Sequence, residues 1–144
     1  MGLGHTARVI VTVDVFVLRQ TSRGLQVLLI QRGKEPYAGQ WALPGGKLDE
    51  HDLTLEDAAC REVHEETGIV LDSLVQVATF GNVDRDPRGR YVSVLYAASV
   101  PPESVMYTHA GDDAMNAAWF PFDTWPTPLA FDHDALVALA MSRL

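Results

Sequence analysis

From Arg8 to Leu18 the chain reads RVIVTVDVFVL, rich in β-branched residues and apolar at nearly every position. A strand with one wet face alternates apolar and polar residues, so this near-continuous run predicts a strand buried on both faces. Thr21 to Gly24 make a turn, and Leu25 to Gln31 (LQVLLIQ) is the next predicted strand. Gly33 to Trp41 is a loop punctuated by Pro36 and Gly39, and Leu43-Pro44-Gly45-Gly46 turns the chain sharply into an acidic segment.

Beyond that turn the period changes to that of a helix. Thr54 is the N-cap candidate, with Leu55 opening the apolar pattern and Asp57 three residues after the cap. Ala58, Ala59 and Val63 fall on one face, predicted to point inward, and Gly68 is the stop at C′. Leu74–Phe80 and Tyr91–Val100 read as strands on either side of the polar loop GNVDRDPRGR. Pro101 and Pro102 open another long loop, and Ala117–Phe122 reads as a short strand. Asp132 is the cap candidate for a last amphipathic helix, His133 to Arg143, burying Leu136, Val137, Leu139 and Ala140. With no repeat, low-complexity tract or linker, the expectation is one α+β domain over residues 1–144.

Composition narrows the partners. A chain of 144 residues with 47% hydrophobic and 21% charged residues has material for a substantial core. Its net charge of −8 argues against nucleic acid and against anionic membranes. The acidity gathers in 49–66 and 112–134, and bound divalent ions would reverse its sign locally, so a phosphate substrate stays open. Cys60 is the single cysteine, which excludes an intrachain disulfide and a cysteine metal cluster. No signal-peptide pattern and no apolar run long enough to span a bilayer is present, so a cytoplasmic location is expected.

The chemistry concentrates in the first helix. Glu62, Glu65 and Glu66 are spaced i, i+3, i+4 and share one helix face. Such a trio is ordinarily a solvated surface. Carboxylates that close repel one another unless a cation lies between them, and hard oxygen ligands suit Mg²⁺ or Mn²⁺. His64 points away from this face and is expected to be exposed and non-catalytic.

What favours the metal reading is the surrounding pattern. Arg61, Glu62, Val63, Glu65, Glu66, Gly68 and Ile69 match, without a gap, the second half of the signature box of the Nudix hydrolases, Arg-Glu-aliphatic-x-Glu-Glu-x-Gly-aliphatic. The segment Gly46–Ile69 therefore resembles that box, with a departure in its first half. The stretch from Gly46 to Arg61 is one residue longer than the usual spacing, and Asp52 or Leu53 stands where the early glutamate is expected. Outside the box, Trp41-Ala42-Leu43-Pro44-Gly45-Gly46 is similar to the usual entry. Asp84–Arg90, Gly111–Ala114, Trp119–Pro121 and Leu129–His133 resemble the ADP-ribose pyrophosphatase branch.

The resemblance implies a Nudix fold, a mixed β-sheet sandwiched between α-helices, and a hydrolase of nucleoside diphosphates linked to another moiety. It implies that Glu62, Glu65 and Glu66, with the Gly45 carbonyl, hold Mg²⁺ or Mn²⁺, two or three ions once substrate is bound. Arg61 would orient a neighbouring catalytic glutamate. The general base is one of these glutamates or a loop acid, for which Asp113 is the candidate. Arg32, Arg85, Arg88 and Arg90 are candidate phosphate or ribose contacts. Arg85, Arg88 and Arg90 could equally decorate a hairpin loop, and Arg32 is better placed because its strand leads directly into the box. Trp41 is a candidate to stack on the base or to fill the core, as is Tyr91, whereas core packing is expected for Phe80 and Trp119. Many relatives form homodimers, which this chain could share.

Three functions follow as expectations. The first is hydrolysis of ADP-ribose, or a related nucleotide sugar, to a nucleoside monophosphate and a sugar phosphate. The second is pyrophosphohydrolysis of an NTP or an oxidised dNTP. The third is a non-catalytic sensor of ADP-ribose-type ligands, as in Nudix-related transcription regulators. Against the sensor stand the intact glutamate trio, the acidic charge, and a chain that stops at Leu144 where such regulators carry a winged helix.

Overall fold

The computed structural model describes residues 4–104 and 114–144. Among them the chain order is β1 (Ile10–Thr21), β2 (Gly24–Arg32), β3 (Trp41–Ala42), β4 (Gly45–Lys47), α1 (Leu55–Thr67), β5 (Val75–Phe80), β6 (Tyr91–Ser99), β7 (Ala114–Pro121) and α2 (His133–Ser142). The strands form one mixed sheet with the path β3-β2-β1-β6-β5, in which β4 pairs with β1 and β7 with β2. Among the described strands only β1 and β6 run parallel, from Ile10 opposite Tyr91 to Leu18 opposite Ser99.

The apolar run of β1 is central and covered on both faces, as its sequence predicts. Val13, Val15 and Val17 face α1, packing with Ala58, Ala59 and Val63. Phe16 and Leu18, one step out of phase, face α2 and pack with Leu136, Val137 and Ala140. The strand's period of two thus sends alternate side chains into two separate cores. The sheet is sandwiched between the two helices, which is the expected α+β Nudix arrangement.

Helix α1 begins and ends as its sequence directs. Thr54 is extended (φ −141°, ψ 165°) and its hydroxyl accepts the Asp57 N–H at 3.0 Å, a cap worth about 1 kcal/mol. Gly68 closes the helix in the left-handed region at φ 77°, donating its N–H to the His64 carbonyl.

Other expectations need correction. Asp132 precedes α2 but makes no side-chain capping bond, because its carboxylate is held by Arg85. Leu139 is only half-buried. Strands β3 and β4 lie where a loop and a turn are expected. With two and three residues they carry no periodicity, and their pairing with β2 and β1 defines them. Strand β7 starts three residues earlier than predicted, lying along β2. Among the described residues no helix is long and apolar enough to cross a membrane.

Candidate active site

The chain reversal at Leu43–Gly46 brings β4 antiparallel to β1, with Asp14 opposite Gly45 and Val13 opposite Gly46. Neither glycine has room for a side chain. A Cβ on Gly45 would drive into the Val13 carbonyl, and one on Gly46 would stand 2.5 Å from the Glu62 carboxylate. Helix α1 can therefore lay its acidic face directly on this backbone. Glu66, 7% exposed, accepts the Gly45 N–H at 2.8 Å.

Above this floor opens a cavity of about 470 Å³. Glu62, Glu66, Asp14, Asp49 and Asp86 supply its acidic lining, the last forked by Arg88 at 2.8 and 3.1 Å, and Arg32, Arg61, Arg85, Arg88 and Lys47 its basic lining. Tyr91, Phe131 and His133 complete the wall.

Arg61 organises the acidic side. Its Nε donates to Asp52 Oδ1 at 2.9 Å and its Nη2 to Asp52 Oδ2 at 2.8 Å. Nη2 also donates to the Lys47 carbonyl at 3.1 Å, and Nη1 to Glu62 Oε1 at 2.7 Å. The bonds from Arg61, followed by a backbone bond at Asp49, hold the Asp52 carboxyl down from 3.8 to about 2. Held mainly by Asp52, the Arg61 guanidinium is pushed above its ordinary range. The position left open in the first half of the box is thus taken by Asp52, whereas Leu53 is 90% exposed.

Glu65 is placed differently from its two neighbours. It is absent from the cavity lining, its side chain is 57% exposed, and Arg61 Nη1 stands 3.4 Å from it. Among the described residues no group of three acidic, histidine or cysteine side chains is already arranged to enclose a cation. Glu62 and Glu66 nevertheless converge on one turn, and with the Gly45 backbone they offer the hard oxygen donors that Mg²⁺ and Mn²⁺ take.

The candidate substrate contacts separate into three groups. Arg32 and Arg88 line the cavity and share Phe131, their guanidinium carbons 4.8 and 5.5 Å from its ring centre. Arg32 is steered by its Nε bond to the Pro36 carbonyl at 2.8 Å, and Arg88 lies 4.9 Å from the Tyr91 ring centre. Arg85 also lines the cavity, but its side chain is 5% exposed and donates to both oxygens of Asp132, at 2.6 and 2.9 Å. It is a structural tie between the β5–β6 loop and the start of α2. Arg90 is exposed and away from the cavity, and Trp41 packs edge-on against Phe120, 5.0 Å between ring centres, in the α2-side core. Both were candidates for substrate contact, and the geometry gives neither that role. Asp113 lies outside the described residues. Phe80 and Trp119 pack against the two cores, and His64 is exposed, as expected.

Among the lining residues to which the sequence assigned no individual role are Phe131 and His133, both within the Leu129–His133 stretch, and Asp14. Phe131 lies in the left-handed region at φ 54°, uncommon for an aromatic residue and found where surrounding structure imposes it. Asp14 and His133 are both buried, with His133 Nε2 3.4 Å from Asp14 Oδ1. Asp14 had a signal, because a charge inside an otherwise apolar buried strand needs a partner.

Comparison with known proteins gives the family. The NUDIX domain family matches residues 9–140. The ADPR responsive transcriptional repressor NtrR of Acinetobacter baylyi is 39% identical over 137 residues, covering 94% of this chain and 54% of the repressor. An ADP-ribose pyrophosphatase of Methanocaldococcus jannaschii is 38% identical over 112 residues, covering 78% of this chain and 63% of that enzyme. Among solved structures, the NUDIX domain of Shewanella oneidensis NrtR complexed with ADP ribose superposes with a TM-score of 0.88 at 35% identity, covering 96% of this chain and 90% of that one. This chain spans less than two thirds of the length of these two curated relatives. The matched residues take in nearly every element described above, and the chain belongs to the NUDIX domain family.

Proposed function

We propose that this domain hydrolyses ADP-ribose, or a related nucleotide sugar, to a nucleoside monophosphate and a sugar phosphate with Mg²⁺ or Mn²⁺. One observation carries the reading: the Glu62 and Glu66 carboxylates and the Arg32 and Arg88 guanidinium groups line one cavity of about 470 Å³. A diphosphate needs both, cations between its oxygens and the carboxylates, and guanidinium groups on its outer oxygens. Glu62, Glu66 and the Gly45 carbonyl would hold the cation, with Glu65 turning in from the rim. When bound, the metal neutralises the diphosphate and acidifies an attacking water.

The chain's own residues do the rest. Arg61 holds Glu62 in place, Arg32 and Arg88 orient the diphosphate, and the Tyr91–Phe131 wall offers faces to the base or ribose. The general base is one of the glutamates or Asp113. The pyrophosphatase relative and the ADP-ribose-bound neighbour support this choice of substrate. A panel of ADP-ribose, NADH, diadenosine polyphosphates, nucleotide sugars and 8-oxo-dGTP, each with Mg²⁺ and Mn²⁺, tests it. ADP-ribose should be cleaved fastest, and preferential cleavage of 8-oxo-dGTP would move the domain to nucleotide-pool cleaning.

A second reading is favoured by the similarity to NtrR, a repressor responsive to ADPR. In it the same cavity binds ADP-ribose without turnover. The Arg61–Glu62 bond and the closely seated Glu66 support the hydrolase instead, since binding alone needs no such acidic face.

A further inference from the structure

The Leu43–Gly46 turn is pinned at three successive residues by three different elements. The Leu43 N–H donates to His133 Nδ1 at 3.0 Å, from the first residue of α2. The Pro44 carbonyl accepts the Val15 N–H of β1 at 2.9 Å, and the Gly45 N–H donates to Glu66 of α1 at 2.8 Å. The first pin reaches across 90 positions of the chain and is buried.

Its chemistry assigns the ring. A nitrogen that accepts an N–H carries no proton of its own, so the neutral imidazole bears its proton on Nε2. Nε2 faces Asp14 Oδ1 at 3.4 Å, and Asp14 Oδ2 accepts the Ser93 hydroxyl. Both ring nitrogens are committed, so His133 does not act as the base although it lines the cavity. Asp14 also sits against Gly45, where a Cβ would meet its Oδ1 at 2.8 Å.

We propose that His133, oriented by Asp14, is a positioning residue that sets the Leu43–Gly45 turn and thereby aims the Gly45 carbonyl and Glu66 at the cation site. The inference rests on the reading of Gly45 and Glu66 as cation ligands. A residue that orients ligands in this way acts on metal affinity, at about tenfold or more when removed.

Two substitutions separate the halves of the ring. Asparagine places its amide oxygen near the position of Nδ1 and can accept the Leu43 N–H. Glutamine places its polar end near Nε2 and reaches only Asp14. Mn²⁺ binding to the whole chain, followed by electron paramagnetic resonance, should weaken about tenfold in His133→Gln and His133→Leu. His133→Asn should stay within about threefold of wild type. Thermal unfolding midpoints of the three variants separate this pattern from a general loss of stability. Wild-type affinity in the Gln and Leu variants overturns the proposal, as does an Asn variant as weak as Leu. If the wild type binds no Mn²⁺, the cation-site reading itself fails. The native protein gives an independent check should the variants not fold. Side-chain ¹⁵N NMR must show His133 protonated on Nε2, and a proton on Nδ1 contradicts the pin outright.

Discussion

Arg61 grips both carboxylate oxygens of Asp52 while a third nitrogen of the same guanidinium holds Glu62. A forked cation of this kind fixes direction as well as distance, which an ammonium does not. In the loop ahead of the helix, Asp52 also accepts the backbone N–H of Asp49. Arg61→Lys should therefore keep the charge but lose the fork. A fall in kcat of about tenfold or more is expected with the fold intact. Unchanged turnover would remove Arg61 from the catalytic arrangement.

The same pair sets a dependence on pH. Asp52 is lowered in the folded protein, so its contribution to stability is fully present above 3.8 and is lost as pH falls through about 2. The stability gap between wild type and Asp52→Asn should be constant near neutrality and close between those values. Unfolding midpoints measured across that range decide it, and a gap that widens in acid contradicts the sign.

Arg85 and Arg88 each fork onto an aspartate, and Arg88 also stands over the Tyr91 and Phe131 rings of the cavity. Asp132→Asn strands the Arg85 guanidinium, 5% exposed, without its countercharge and should cost about 3 kcal/mol by denaturant unfolding. Arg88→Ala removes the fork on Asp86, whose side chain is 4% exposed, and should cost about 1–3 kcal/mol of stability while also raising KM for the diphosphate. An unchanged KM in Arg88→Ala would contradict its role as a substrate contact.

The two turn glycines also divide. In Gly46→Ala the new methyl meets the flexible end of Glu62, which can swing aside, so activity should fall more than stability. In Gly45→Ala it meets the Val13 carbonyl within the sheet, where overpacking costs about 1–3 kcal/mol. Circular-dichroism melts alongside initial rates separate the two, and a destabilised Gly46→Ala with normal kcat reverses the assignment.

How much of this is legible in the chain depends on the distance over which each contact acts. The glutamate face, the Thr54 cap and the Gly68 stop follow from spacings of a few residues, and the two-sided burial of β1 follows from its unbroken apolar run. The Arg85–Asp132 tie spans 47 positions and the Leu43–His133 pin spans 90. No local period carries such pairs, so Arg85 reads like any loop arginine and His133 like any helix-start residue. Trp41 is ambiguous for another reason, since an aromatic ring serves a core and a base equally well. Only the sheet register, which sets Trp41 opposite Gln31 at the edge of β2, directs it toward Phe120.

The central claim is that this cavity breaks a diphosphate bond and does not merely hold one. The direct measurement is single-turnover incubation of wild type and Glu62→Gln with ADP-ribose and Mg²⁺ or Mn²⁺, with products separated by chromatography. The account predicts AMP and a sugar phosphate from the wild type, and a rate at least about a hundredfold lower from the variant. ADP-ribose bound by the wild type and recovered uncleaved with either metal would contradict it.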